Sequence, residues 1–272
     1  MNQIEIVAID LDGTLLDDNK QLSDKNIDTL NQIIKKGIKV MICTGRTLPS
    51  VKPIIDNLAL NGEEEYLVLQ NGAVIHQLPN YEIIDSSSIS PDNRTEVIKV
   101  VSAIVDSPIT FYDSETIYYL GSLPFSQRTI EDGRVLASDI KVSSKEEILS
   151  LDNVFKIAVI DEPNILDYLE NQLPKKLNES VDIIRSQPFI LEFVPKDINK
   201  ATALQFLSKK LKFERSHIMA IGDQANDLEM IEFAGIGVAM NNAIPALKEK
   251  ADMIKGNNNE SGVAEILEDL LL

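Results

Sequence analysis

Two aspartates one residue apart, Asp10 and Asp12, sit in the pentad Asp10-Leu11-Asp12-Gly13-Thr14, directly after the apolar run Ile4–Ile9. Two carboxylates at the end of a buried strand are costly unless a positive partner is brought to them, and a metal ion is one such partner. Taken alone, the pentad also reads as a strand closing in an Asp-Gly turn. Three other segments carry complementary groups. Thr44-Gly45-Arg46 offers a hydroxyl and a following backbone N–H, both suited to phosphate oxygens. Lys200 offers a cation. Gly222-Asp223-Gln224-Ala225-Asn226-Asp227 brings two more carboxylates and an amide to a tight turn that leads into a helix start, where anions are favoured.

Singly, these are turn chemistry, a solvated lysine and an acidic helix cap. In this order, each at a strand end or a helix start, they converge on a hard cation held by oxygen ligands with a phosphate beside it. Mg2+ suits such a site, because it takes carboxylates, carbonyls and retained waters and bridges substrate phosphates. No His–Cys cluster points to zinc, and the two histidines, His76 and His217, stand apart and read as structural. The single cysteine, Cys43, ends an apolar run and reads as a buried structural thiol.

The segments need elements to position them. Ile4–Ile9, Ile38–Cys43, Tyr66–Leu69, Ile218–Ile221, Ile236–Ala239 and Asp252–Ile254 read as short strands. Between them, Ser23 offers an N-cap to a helix with Ile27, Leu30 and Ile34 on one face, closed by Gly37. Further helices are expected near Val51–Leu58, Ala203–Leu211, Ala243–Lys250 and Val263–Leu271, and a hairpin-like stretch starts at Asn71-Gly72. From about Ser86 the pattern changes. Two helices, around Val97–Ile104 and Leu166–Leu173, and strands at Ile109–Tyr112, Ile117–Leu120, Val154–Ile160, Val181–Ile184 and Phe189–Val194 suggest a separate α+β lobe. The expected fold is a doubly wound parallel-sheet α/β core, residues 1–85 and 195–272, with an α+β cap inserted as residues 86–194. In such sheets ligands gather outside the carboxyl ends of the strands.

Composition narrows the partners. A formal net charge of −17 argues against nucleic acid, while a local cation still permits a small phosphorylated substrate. No apolar run reaches the roughly 20 residues that cross a bilayer, and the N-terminus carries no signal-peptide pattern. With one cysteine and no intrachain disulfide, a cytoplasmic monomer is expected.

At these residues the chain resembles the haloacid dehalogenase-like phosphatases, and within them the Cof-type subfamily with a large α/β cap. Asp-Leu-Asp-Gly-Thr-Leu from Asp10, Thr-Gly-Arg from Thr44, the post-cap Lys200 and Gly-Asp-x-x-Asn-Asp from Gly222 match in order and approximate spacing, and the resemblance spans essentially the whole chain. It implies a Rossmann-like core, Mg2+ and an aspartyl-phosphate intermediate. Asp10 would be nucleophile and metal ligand, and Asp12 general acid/base with its carbonyl on the metal. Asp223 would complete the protein ligands, with Asp227 supporting the metal's water shell. Thr44, Gly45, Lys200, Asn226 and the Leu11 N–H would hold phosphoryl oxygens, while Arg46, Asn71 and Gly72 would face the substrate entrance. Ala201 departs from the family's usual glycine after the lysine. A phosphomutase acting on a sugar phosphate, or a catalytically silent phosphate-binding module, are the alternative readings.

Overall fold

The computed structural model describes residues 4–60, 62 and 64–272. The chain runs β1 (Ile6–Ile9), α1 (Asp24–Lys35), β2 (Lys39–Cys43), α2 (Leu48–Ile55), β3 (Tyr66–Leu69), β4 (Val74–Gln77) and β5 (Glu82–Ser86). It continues through α3 (Pro91–Ile104), β6 (Ile109–Tyr112), β7 (Thr116–Leu120), α4 (Gln127–Val135), β8 (Asp139–Val142), α5 (Lys145–Ser150), β9 (Lys156–Ile160), α6 (Pro163–Gln172), β10 (Val181–Gln187) and β11 (Ile190–Pro195). It ends with α7 (Lys200–Leu211), β12 (Ile218–Gly222), α8 (Leu228–Phe233), β13 (Ile236–Ala239), α9 (Pro245–Lys250), β14 (Met253–Ile254) and α10 (Gly262–Leu271).

The described residues of 1–45, 51–85 and 199–272 form one compact unit, and those of 46–50 and 86–198 a second. In the first, the strand order is β14-β13-β12-β1-β2-β3-β4-β5. The strands from β14 to β3 are parallel neighbours, and β4 returns antiparallel to β3. Ile6–Ile9, Val40–Cys43, Leu67 and Met219–Ile221 are buried, as both-face burial of a parallel sheet requires. Register then fixes the site. Ile9 pairs with Ile42 on one side and with Ile221 on the other, so β1, β2 and β12 end level and release Asp10, Thr44 and Asp223 at one edge.

Helix α1 keeps its predicted N-cap, the Ser23 Oγ accepting from the Asn26 N–H. Its buried face, however, is Asn26, Thr29, Leu30 and Ile33, with Ile27 and Ile34 only half-buried. The helix is turned because it packs on α10 and the loop after β1. Asn26 Nδ2 donates to Leu15 O, its Oδ1 accepts from the Ala264 N–H, and Thr29 donates to Glu268.

The second unit is a sheet of order β10-β11-β9-β6-β7-β8, antiparallel except between β7 and β8. It carries four helices among the described residues, where the sequence suggests two. The unforeseen α4 and α5 are short and rich in charge, and the neighbouring strand β8 is largely exposed, so no apolar period announces them. They start at the serine caps Ser126 and Ser144, the latter in a capping box with Glu147.

Candidate active site

Asp10 leaves β1 with its N–H on Ile221 O, 3.0 Å, and the residue is only 5% exposed. The chain then folds back at once. The N–H groups of Thr14 and Leu16 donate to Leu11 O, and that of Leu15 to Asp10 O. Gly13 sits at φ +81°, and a Cβ there would meet Asp223 Oδ2 at 2.5 Å. Glycine is needed for the backbone and for the room. The tight loop sets the Thr14 hydroxyl on Asp223 Oδ1, 3.0 Å away. Asparagines hold it from outside. Asn242 Nδ2 donates to Gly13 O, and Asn258 Nδ2 to Leu16 O and to Asp18. The half-buried Asp12 pairs with Lys20, Nζ to Oδ1 2.8 Å.

Lys200 reaches the same edge from α7. Asn199 caps that helix, its Oδ1 accepting from the Thr202 N–H while Thr202 Oγ1 accepts from the Asn199 N–H. Ala201 is buried and leaves the helix start intact. The fully buried Lys200 ammonium donates to Asp10 Oδ1 and to Asp227 Oδ1, 2.6 Å each. Asp227, also fully buried, accepts the N–H groups of Asp223 and Gln224 on its Oδ2. Gly222 admits this arrangement, since a Cβ there would lie 2.6 Å from the Asp227 carboxyl carbon.

Oxygens of Asp10, Asp223 and Asp227 lie within 4.8 Å of one another, all buried. Three carboxylates against one ammonium leave a formal charge of −2 if all are ionised. The strain shows in their proton affinities. Burial first, then the charge of Asp227, push Asp10 up to about 8, and the same two causes push Asp223 up to about 6. Burial opposes the charge on Lys200, but Asp10 and Asp227 outweigh it and hold the ammonium above the usual lysine range. An all-oxygen donor set carrying surplus negative charge fits a hard divalent cation.

The other sequence-predicted residues lie nearby or apart as follows. Thr44 is buried, its N–H on Val68 O and its carbonyl accepting from the Asn71 N–H. Gly45 lies against the Asn71 amide, and Asn226 Nδ2 donates to Asn71 Oδ1 at 2.9 Å. Gly72, at φ +100°, packs on the Asn199 carbonyl. Arg46 is buried and groups with the second unit. Cys43 is buried, and burial pushes its thiol up to about 12. His76 is buried with Nδ1 2.8 Å from Tyr81 O, and His217 lies 3.4 Å from Glu5. The sequence did not single out the Thr14 hydroxyl, Lys20, Asn242 or Asn258. Only Thr14 lay inside a recognisable motif.

The parallel sheet with acidic loops at its carboxyl edge defines a doubly wound α/β protein whose site lies at the strand ends, and comparison with known proteins names its family. The sequence pattern of haloacid dehalogenase-like hydrolases matches residues 7–267, so the chain belongs to that family. It is 33% identical over 268 residues to the Bacillus subtilis protein YxeH, covering 98% of each chain. It is 31% identical to the 5-amino-6-(5-phospho-D-ribitylamino)uracil phosphatase YcsE of Bacillus subtilis, covering 99% of this chain and 96% of the relative. Among solved structures, a haloacid dehalogenase-like hydrolase from Bacteroides thetaiotaomicron superposes with a TM-score of 0.89 at 29% identity, covering 99% of this chain and 100% of its own. No helix of the described residues is long and apolar enough to cross a membrane.

Proposed function

We propose that the protein is a magnesium-dependent phosphatase that hydrolyses small phosphorylated metabolites, sugar and sugar-alcohol phosphates among them, through an aspartyl phosphate on Asp10. The observation that carries the reading is the buried set Asp10, Asp223, Asp227 and Lys200 at one strand edge. The neighbouring phosphatase YcsE, whose name specifies a phosphorylated ribityl compound, supports the substrate class.

Phosphoryl transfer asks mainly for positioning and charge stabilisation. Asp10, Asp223 and a water shell supported by Asp227 would hold Mg2+, with the Asp12 carbonyl, and bound Mg2+ would offset the repulsion between carboxylate and phosphate. Lys200 grips Asp10 Oδ1, which leaves Oδ2 to attack phosphorus as the bond to the leaving oxygen breaks. Thr44, Gly45, Asn226 and the Leu11 N–H would receive the phosphoryl oxygens. Asp12, freed from Lys20 and protonated from solvent before the phosphate is attacked, would give that proton to the leaving oxygen, and the carboxylate left behind would then take a proton from the water that cleaves the Asp10–phosphorus linkage. Arg46 and the second unit, read as residues 86–194, would meet the leaving group and set substrate preference. The enzyme would act as a cytoplasmic monomer, and its charge of −17 speaks against nucleic-acid partners.

Release of phosphate from p-nitrophenyl phosphate tests the reading. The parent should turn over with Mg2+ and stop with a chelator. Asp10→Asn should lose at least roughly a thousandfold in kcat, as expected when a nucleophile is removed, with its circular dichroism unchanged. Parent-like rates in that variant would end the claim.

A further inference from the structure

Asn71 sits just after β3 in the left-handed region, φ 58° and ψ 32°. Its backbone N–H donates to Thr44 O, 2.9 Å, which ties the turn after β3 to the turn after β2. Its side chain reaches a third turn, Oδ1 accepting from Asn226 Nδ2 at 2.9 Å, beyond β12. The glycine next to Thr44 makes this possible. A Cβ on Gly45 would lie 3.1 Å from Asn71 Oδ1 and 3.2 Å from its Nδ2, tighter than ordinary contact. Gly45 is not itself in the left-handed region, so what glycine supplies there is room. From the other side, Gly72 lets the same turn lie on the Asn199 carbonyl, one residue before Lys200. Asn71 is thus braced on both flanks, with its Oδ1 on the Asn226 amide.

A primary amide nitrogen carries two N–H groups. One of those on Asn226 is committed to Asn71, and this bond fixes the plane and the sense of the amide. We propose that Asn71 is a positioning residue, holding Asn226 so that its second N–H meets a phosphoryl oxygen, and that Gly45 is required as space for the Asn71 amide. The inference rests on the phosphatase reading given above. Without Asn71, the Asn226 side chain rotates freely and its oxygen can face the phosphate as readily as its nitrogen.

Asn71→Gly is the clean probe, because glycine keeps the left-handed backbone without strain and removes only the amide. Three readouts are needed: kcat/KM for p-nitrophenyl phosphate, the inhibition constant of inorganic phosphate, and the thermal midpoint. Asn71→Gly should lower kcat/KM about tenfold, the scale of one hydrogen bond, and weaken inhibition by phosphate by a similar factor. Asn226→Ala should lose at least as much, and the double variant should be no worse than Asn226→Ala alone. Gly45→Ala should impair the parent but add almost nothing in the Asn71→Gly background, where the methyl group has space. A merely structural Asn71 would lower the thermal midpoint, multiply its loss with that of Asn226→Ala, and leave phosphate inhibition alone; that result overturns the inference. An impaired Asn226→Ala with a parent-like Asn71→Gly overturns it while sparing the phosphate-binding reading of Asn226. A parent-like Asn226→Ala overturns both.

Discussion

Lys200 and Lys156 are both buried lysines held by acids, and the company each keeps is different. On β9 of the second unit, Lys156 lies 2.9 Å from Glu192 on β11 and 4.3 Å from the centre of the Tyr112 ring. The Tyr112 hydroxyl in turn donates to Asp132 of α4, 2.7 Å. One carboxylate meets one ammonium directly, and the half-buried Asp132, which feels the same ammonium at longer range, is bonded only through a neutral hydroxyl. At Lys200 two carboxylates share the ammonium, and an oxygen of a third, Asp223, lies within 4.8 Å of an oxygen of each. A matched pair is a structural tie between two strands. An unmatched excess of carboxylates at a strand edge could hold a metal ion. The balance of charge, more than burial of a lysine, separates the two.

Substitutions can break that contrast. The largest effect is expected from Lys200→Met, which leaves Asp10 and Asp227 facing each other with no cation between them. Turnover should fall by roughly 10²–10³, the scale of a lost preorganised donor, and urea unfolding without metal should show a loss of about 3 kcal/mol. Lys156→Met should cost about 3 kcal/mol as well, because Glu192 is stranded. The double change Lys156→Met, Glu192→Leu should recover most of it, as replacement of a buried ion pair by apolar side chains generally does. Failure of that rescue would mean that the pair is more than a tie.

Asp132 gives the smallest effect. Burial holds its carboxyl above the usual carboxylate range, against the pull of Lys156 and the Tyr112 hydrogen bond, while Glu192 adds to the rise. A carboxyl whose folded value is raised binds protons more tightly when folded. Its contribution is full below the unfolded value and is lost as pH rises through the folded one. Asp132→Asn keeps an acceptor for Tyr112 and removes the titration. Relative to the parent, it should therefore gain stability as pH rises from about 4 toward neutrality. Thermal melts of the two across that range check the sign.

Much of this was legible in the sequence, and the remainder was hidden for definite reasons. Tyr66–Leu69, Ile109–Tyr112 and Ile236–Ala239 are strands where their apolar runs place them, because a buried strand needs little besides such a run. Asp10 and Asp223 announced themselves by following strands. Lys200 was legible only in the company of the other segments, since alone a lysine after Asn199 reads as solvated. The asparagine clamp on the loop after β1 was invisible. Asn242 meets Gly13 across 229 positions and Asn258 meets Leu16 across 242, and no local pattern encodes a partner that distant. Asn71 was legible as a turn residue, but its bond to Asn226 spans 155 positions and depends on three strands ending level.

Binding of Mg2+ itself tests the surplus-charge account most directly. Titration calorimetry, paired with thermal melts, should show Mg2+ binding the parent and raising its thermal midpoint, as any ligand of the folded state does. Both signals should vanish in Asp223→Ala and persist in Lys156→Met, whose altered charge lies in the matched pair. A parent that takes up no Mg2+, or an Asp223→Ala variant that binds it undiminished, would contradict the account.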